Sequence, residues 1–317
     1  MKCLTLQAAL SLLTLCIMIF ISGCNVVAPP PPTSTPTLVP PSATPAPSPA
    51  PTILPTASPA PTATPVPAMP AEVQTFKFKT ADGVELPAKY YPSAVKNAPL
   101  VVLMHWVNAD QTDWDEIAPW LQNRGQGGKN PNPQKLTWRD PSWFPKNTQG
   151  YAVFTFSFRG CTSTAGCNNW TPALWLLDAQ AGMKAASELN GIDPKKIVSM
   201  GASIGADGAI DGCMYLNAQK GNGLCLGSLA FSPGSYLNVQ YGSAVKALEV
   251  EQPPKQAWCL YSDGDGESAV VCRPLTNKNY KATNYAGNRH GMALIHQDVN
   301  PQSLQVALDF LKATLGN

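Results

Sequence analysis

The chain has 317 residues, of which 22 are Lys or Arg and 20 are Asp or Glu, for a formal net charge of +2. Its basic residues are scattered and form no stripe, so there is no electrostatic footprint for nucleic acid and no such partner is expected. The 44% hydrophobic content suffices for a large core but is unevenly spread, so the chain divides before any element is assigned.

Residues 1–24 open on Met1-Lys2, continue through an apolar run over Leu13 to Ile21, and end Ile21-Ser-Gly-Cys24, the pattern of a secretory segment. The ending resembles the lipobox of bacterial lipoproteins. That resemblance implies lipidation of Cys24, a membrane partner through the lipid, and a location outside the cytoplasm at the cell surface. Residues 25–71 follow, rich in Pro, Thr, Ser and Ala, with 17 of the 32 prolines between Pro29 and Pro70. Such a composition favours an extended tether and cannot pack a core. Residues 72–317 are left for one globular domain.

Cys3 and Cys16 fall in the first segment and Cys24 at its end, leaving Cys161, Cys167, Cys213, Cys225, Cys259 and Cys272. An even number in an exported domain reads as disulfides. Pairing sequence neighbours, 161 with 167, 213 with 225 and 259 with 272, closes short loops between elements that should be adjacent. No Cys-x-x-Cys or histidine cluster supports a metal reading.

Along the domain, Gln74 to Thr80 and Val84 to Tyr91 alternate around Ala81-Asp-Gly83 and predict a hairpin. Pro99 to His105 is a continuous apolar run, as in a strand buried on both faces. Thr112 and Asp115 stand at capping-box spacing before a helical face of Trp114, Ile117 and Leu121. The long polar excursion 125–150 carries Trp138, Trp143 and Phe144, which either line a cleft or plug the excursion onto the body. A strand over Tyr151 to Ser157 precedes a loop reaching Trp170. A helix from Pro172 follows, with Leu174, Leu177, Ala181 and Ala185 facing inward until Ile192-Asp-Pro194 breaks it. Further strands are expected at Leu226 to Phe231, Ala257 to Tyr261 and Tyr280 to Tyr285. The last helix is expected from Asn300, with Pro301 as its first residue and Leu304, Leu308, Leu311 and Leu315 as its stripe. The alternation predicts an α/β domain with a mostly parallel sheet, helices on both faces and an N-terminal hairpin.

The central stretch is Lys196-Ile-Val-Ser-Met200, turning through Gly201-Ala-Ser203-Ile-Gly205 into a helix of small residues from Ile204 to about Leu216. A strand ending in so tight a turn lifts the middle serine to the crest, with a helix N-terminus beneath it, and makes Ser203 the candidate nucleophile. A serine hydroxyl needs an imidazole to take its proton and a carboxylate to orient that imidazole. Three histidines exist: His105 ends a strand, His296 sits in a short helical stretch, and His290 lies in a glycine-flanked loop before the last helix. His290 is the preferred base. For the acid, Tyr261-Ser-Asp263-Gly-Asp265-Gly-Glu267 follows a strand, and its spacing is not that of a calcium loop. Asp265 is preferred to Asp263, with Glu267 third.

From about Tyr90 to Ala313 the chain resembles the α/β-hydrolase superfamily, and within it exported dienelactone hydrolases and related carboxylesterases. Ser203, Asp265 and His290 fall in that family's order. Its Gly-x-x-Asp acid segment matches Ser262-Asp-Gly-Asp265 in all but the first residue. The resemblance implies a serine carboxylesterase acting on a small or apolar ester and no cofactor. It implies an oxyanion hole from the backbone N–H groups of Ile204 and Val107, with His105-Trp106-Val107 in place of the usual His-Gly-x. It also implies a structural role for Arg159-Gly160. Trp106, Trp138, Trp143 and Trp170 are candidates to line the substrate site. A serine peptidase or amidase on the same fold, and a binding protein on a hydrolase scaffold, are the alternatives.

Overall fold

The computed structural model describes residues 72–123, 139–221 and 223–316. The expected secretory segment with Cys24, the 25–71 tether and Trp138 lie outside the described residues. No helix among the described residues is long and apolar enough to cross a membrane.

In chain order the elements are β1 (Gln74–Lys79), β2 (Glu85–Tyr91), β3 (Ala98–Met104), α1 (Ile117–Leu121), β4 (Ala152–Phe156), β5 (Cys161–Thr162), β6 (Gly166–Cys167), α2 (Pro172–Ser187), β7 (Ile192–Ala202) and α3 (Ile204–Ala218). There follow β8 (Cys225–Phe231), α4 (Tyr241–Glu249), β9 (Gln256–Ser262), α5 (Gly266–Cys272), β10 (Tyr280–Tyr285) and α6 (Ser303–Leu315). Eight strands form one sheet in the order β1-β2-β4-β3-β7-β8-β9-β10. The β1–β2 and β2–β4 pairs are antiparallel and the remaining pairs are parallel.

The central strands read as unbroken apolar runs because both faces are covered. In β3, Leu100, Val102 and Met104 join a core with Trp175 and Met183 of α2, Ile204 and Ile210 of α3, and Val245 and Leu248 of α4. Val101 and Leu103, on the opposite face, pack with Ile117 and Leu121 of α1 and Leu304, Phe310 and Leu311 of α6. Burying each such side chain fully contributes about 1.5–3 kcal/mol. All three neighbour pairs of cysteines are joined as disulfides, Cys161–Cys167, Cys213–Cys225 and Cys259–Cys272.

Several elements differ from the sequence reading. The buried face of α2 is Trp175, Asp178, Ala179, Gly182, Met183 and Ala186, turned from the expected Leu174, Leu177, Ala181 and Ala185. Packing decides this: a Cβ at Gly182 would stand 2.5 Å from the Phe156 ring, so the helix presents its smallest residue to the sheet. The same helix ends at Ser187, and Ile192 to Pro194 already belong to β7. Before α1, the cap is not Thr112 but Asp110, whose carboxylate accepts from the Thr112 N–H at 2.9 Å. Helix α6 begins at Ser303, later than Asn300, and buries Val306, Ala307 and Phe310, with Leu308 only partly covered. Helices α4 and α5 and the small β5–β6 hairpin have no counterpart in the sequence reading.

Arg159, in the turn between β4 and β5, ties this turn to α2 and to the β1–β2 turn. Its guanidinium reaches Asp178 of α2 through Nε (2.8 Å) and Nη2 (2.6 Å), and Asp82 of the β1–β2 turn through Nη1 (2.6 Å) and Nη2 (2.9 Å). Asp178 is fully buried. Burial pushes its carboxyl above the usual range, while Arg159 pulls the other way.

Candidate active site

The carboxyl ends of β3, β7, β9 and β10 lie at one edge of the sheet, and the segments leaving them carry Val107, Ser203, Asp265 and His290, while Tyr236 comes from the segment after β8 and Trp170 from the one after β6. In a parallel sheet this edge is where adjacent connections splay apart and leave a crevice.

Ser203 leaves β7 at φ 54°, ψ −119°, a conformation that L side chains rarely adopt. Neighbouring backbone forces it. A Cβ at Gly201 would lie 1.8 Å from the Gly205 carbonyl oxygen, and one at Gly205 would lie 2.4 Å from the carbonyls of Met104 and His105. Only glycine fits on either side of the serine. The Ser203 N–H donates to the Phe231 carbonyl at 2.9 Å, which anchors the turn to β8.

His290 Nε2 lies 2.8 Å from Ser203 Oγ, and His290 Nδ1 lies 2.7 Å from Asp265 Oδ2. An ionised carboxylate can only accept, so Nδ1 carries the ring proton and the Nε2 lone pair faces the serine hydroxyl. The acid and histidine loops are laced by backbone: Gly264 N–H donates to the Gly287 carbonyl at 2.7 Å, and Asp263 N–H to the Tyr285 carbonyl at 2.9 Å. Ser262 Oγ donates to the carbonyl of Arg289 at 2.8 Å, holding the residue before His290. Asp263 accepts from the Gly287 N–H at 3.0 Å, and Glu267 accepts from the Tyr236 hydroxyl at 2.6 Å. Neither carboxylate is the one on the ring. His296 is exposed and bonds Asp298, away from these groups.

His105 is wholly buried. Its Nε2 accepts from the Phe158 N–H at 3.0 Å, so Nδ1 holds the proton and donates to the Trp106 carbonyl at 2.6 Å. Burial lowers its pKa to about 4, which keeps the ring neutral. The Trp106 carbonyl and the Val107 N–H belong to one planar trans peptide and point in opposite directions. Tying the carbonyl to His105 therefore turns the N–H away from that ring. The Val107 carbonyl in turn accepts from the Cys167 N–H at 2.7 Å, so the disulfide-closed β5–β6 hairpin braces this loop. Ile204 is the first residue of α3, where an N–H precedes the first intrahelical bond.

A cavity of about 470 Å³ opens over the serine, lined by Val107, Trp170, Ser203, Tyr236, Glu267 and His290. Of the four tryptophans expected there, Trp170 lines it. Trp143 does not: its ring packs on Phe144 at 4.8 Å and its carbonyl accepts from Gln302, which makes it the plug of the excursion. Trp106 is partly buried and is not among the described residues lining the cavity, its ring 3.0 Å from where a Cβ on Gly291 would stand. Tyr236 escaped the sequence reading. It follows β8 in Ser232-Pro-Gly-Ser-Tyr236, held there by Asp207 of α3, which accepts from the Tyr236 N–H at 2.6 Å and the Gly234 N–H at 3.3 Å.

Asp207 and Asp211 are both buried on α3, and desolvation pushes them up to about 7 and about 9. His105, Cys161 and Cys167 also come together, with ligand-type atoms within 4.8 Å of one another. The sulfurs are joined in a disulfide and both imidazole nitrogens are hydrogen-bonded, so this group has no thiolate or free lone pair for a metal.

No family model matches the sequence, and no curated protein matches it. Solved structures do. The α/β hydrolase GrgF from Penicillium sp. sh18 is 13% identical, with 78% of this chain and 100% of that one covered at a TM-score of 0.54. EstE1, a thermostable carboxylesterase cloned from a metagenomic library, is 16% identical over 78% of this chain and 90% of its own, at 0.52. The hyperthermophilic esterase from Pyrobaculum calidifontis is 15% identical over 77% and 84%, also at 0.52. With the sheet order above and the strand–serine–helix turn at its centre, the chain has the α/β-hydrolase fold.

Proposed function

We propose that the protein is a serine-dependent carboxylic-ester hydrolase that works through an acyl-enzyme. The observation that carries this reading is His290, which bridges Ser203 Oγ at 2.8 Å and Asp265 Oδ2 at 2.7 Å in the tautomer required of a base. Ser203 Oγ attacks the ester carbonyl carbon while its proton passes to His290 Nε2, and Asp265 stabilises the imidazolium. The N–H groups of Ile204 and Val107 hold the oxyanion of the tetrahedral intermediate, a contribution of about 3–4 kcal/mol per donor in comparable sites. Collapse expels the alcohol, which takes the proton from His290. Water then attacks the acyl-enzyme carbonyl, giving a proton to the same nitrogen, and collapse breaks the bond to Ser203 Oγ, which takes that proton back as the acid leaves.

The esterase neighbours favour an ester over a peptide substrate, and the assembled triad favours catalysis over a scaffold used only for binding. The domain arrangement belongs to the same proposal: a catalytic unit at 72–317, a proline-rich tether at 25–71, and a lipid on Cys24 that holds the protein at the outer side of a membrane. The test is hydrolysis of p-nitrophenyl esters of graded acyl length, lactones and peptides by the full chain beside its Ser203→Ala form. Loss of turnover by a factor of roughly 10³ or more supports the mechanism. Turnover unchanged by the substitution overturns it, and cleavage of peptides alone replaces ester with amide. Movement of a Cys24→Ser form out of the membrane fraction tests the anchor.

A further inference from the structure

We infer that the mouth of the Ser203 cavity is a subsite for a cationic group, and that the substrates it favours carry an ammonium a few bonds from the scissile carbonyl. The inference rests on the esterase reading only for where the carbonyl sits. The subsite itself is a matter of binding.

Two aromatic walls meet there. The rings of Trp170 and Tyr236 are perpendicular at 88°, with centroids 6.0 Å apart, and Tyr236 stands at 77° to the His290 ring at 6.3 Å. Trp170 is backed by Trp175 at 5.2 Å, yet it remains 57% exposed, which is unusual for so large an apolar surface beside a nucleophile. A wall of this kind attracts a cation through the ring quadrupole and would equally accept an apolar group through burial. Glu267 decides between the two.

Glu267 is exposed and lines the same cavity, where the Tyr236 hydroxyl donates to its Oε2 at 2.6 Å. Among the described residues that line the cavity there is no Lys or Arg. Arg289, next to His290, is turned to the Ala293 carbonyl and to Asp298, at 3.3 and 2.8 Å. A neutral apolar group resting on the two rings would strip water from the carboxylate and return nothing for it. An ammonium in the same place meets the carboxylate as well as the aromatic wall. An anionic group meets Glu267 with the like charge of Asp265 close behind His290. The hydrogen bond from Tyr236 holds both components in place before any ligand arrives, so little side-chain freedom is lost on binding.

The experiment is a ligand-observed NMR titration of the full chain with choline and with 3,3-dimethylbutan-1-ol, which has the same shape without the charge. It is run on the native protein and on its Ser203→Ala, Trp170→Ala and Glu267→Gln forms. Hydrolysis of the acetate esters of both alcohols is measured in parallel. The expected result is choline binding about fivefold to tenfold more tightly than the neutral alcohol, unchanged by Ser203→Ala and reduced to about twofold or less by either other substitution. The two exposed positions allow folding to be verified by melting temperature. Equal binding of the two alcohols to the native protein overturns the subsite, as does a preference that survives both Trp170→Ala and Glu267→Gln. A choline preference with no ester turned over leaves the subsite standing and removes the esterase reading. Turnover of both esters at equal kcat/KM, with equal binding, does the reverse.

Discussion

Phe158 donates its backbone N–H to Nε2 of His105 at 3.0 Å, and this single bond sets the orientation of a peptide two residues further along the other loop. With Nε2 occupied, the imidazole proton resides on Nδ1 and goes to the Trp106 carbonyl at 2.6 Å, which turns the Val107 N–H the other way. In the proposed oxyanion loop Trp106 stands where the resembled family has glycine, and a buried, neutral histidine fixes the peptide plane.

Replacing His105 by Phe keeps the edge contact with the Phe158 ring, now at 5.1 Å, and removes both hydrogen bonds. The buried Phe158 N–H is left without its acceptor, which costs about 1–3 kcal/mol of stability. Ester turnover should fall by about 10- to 100-fold in kcat as the Val107 peptide loses its orientation. Steady-state kinetics alongside thermal melts separate the two effects. A His105→Phe form with normal kcat would remove Val107 from the mechanism.

The choice of acid gives a second contrast. Asp265→Asn should lower kcat by about 10⁴, because an amide no longer holds the Ser203-facing tautomer of His290. Asp263→Asn should lower it by less than about fivefold, since Asp263 meets only the Gly287 N–H at 3.0 Å, which the amide oxygen can still accept. Reaction with a fluorophosphonate probe that labels the nucleophile reads both variants directly. Comparable losses at the two positions would contradict the assignment.

Asp211 makes stability depend on pH. Both of its side-chain oxygens are buried with no hydrogen-bond partner among the described residues, and burial together with the Asp207 charge pushes its pKa up to about 9. An unfolded aspartate titrates near about 3.9, so between the two values the folded state keeps a proton that the unfolded state has lost. Stability is therefore greatest below the unfolded value and declines as pH rises toward about 9. Asp207, with a pKa of about 7, contributes in the same direction. An Asp211→Asn form should melt close to the native protein near pH 4 and higher than it at pH 8 to 9, with a flatter profile between. Parallel slopes for the two proteins would show that Asp211 is not the group responsible.

What could be read from sequence was whatever is decided locally. Gly201-Ala-Ser203-Ile-Gly205 announced its turn because a strand, a serine and two glycines lie within one short stretch, and the contacts that exclude a Cβ there are with the adjoining backbone. The same holds for the Asp82-Gly83 hairpin and for the cysteine pairs, whose partners are 6, 12 and 13 residues apart. The set of three histidines kept the search for the base short. Other features depended on groups distant in sequence. Helix α2 is apolar nearly all round, so its buried face was chosen by Phe156 against Gly182 and not by periodicity. Asp263, Asp265 and Glu267 are chemically equivalent in one loop. The sequence ranked Asp265 first through the Ser262-Asp-Gly-Asp265 match, and the arrival of Gly287, His290 and Tyr236 gives each carboxylate its separate partner. Tyr236 carried no pattern, and His105 only that of His105-Trp106-Val107 at a strand end; their partners, Asp207 and Phe158, are 29 and 53 residues away, and hydrogen bonds of that span leave no trace in local sequence. The sequence by itself determined the strand–serine–helix turn at Ser203, the layering and the cysteine pairs. The tertiary structure decided which aromatic rings line the cavity over the serine and how the Val107 peptide is turned, and it brought Asp265 to His290, since each of these is a contact between loops that only the sheet brings together.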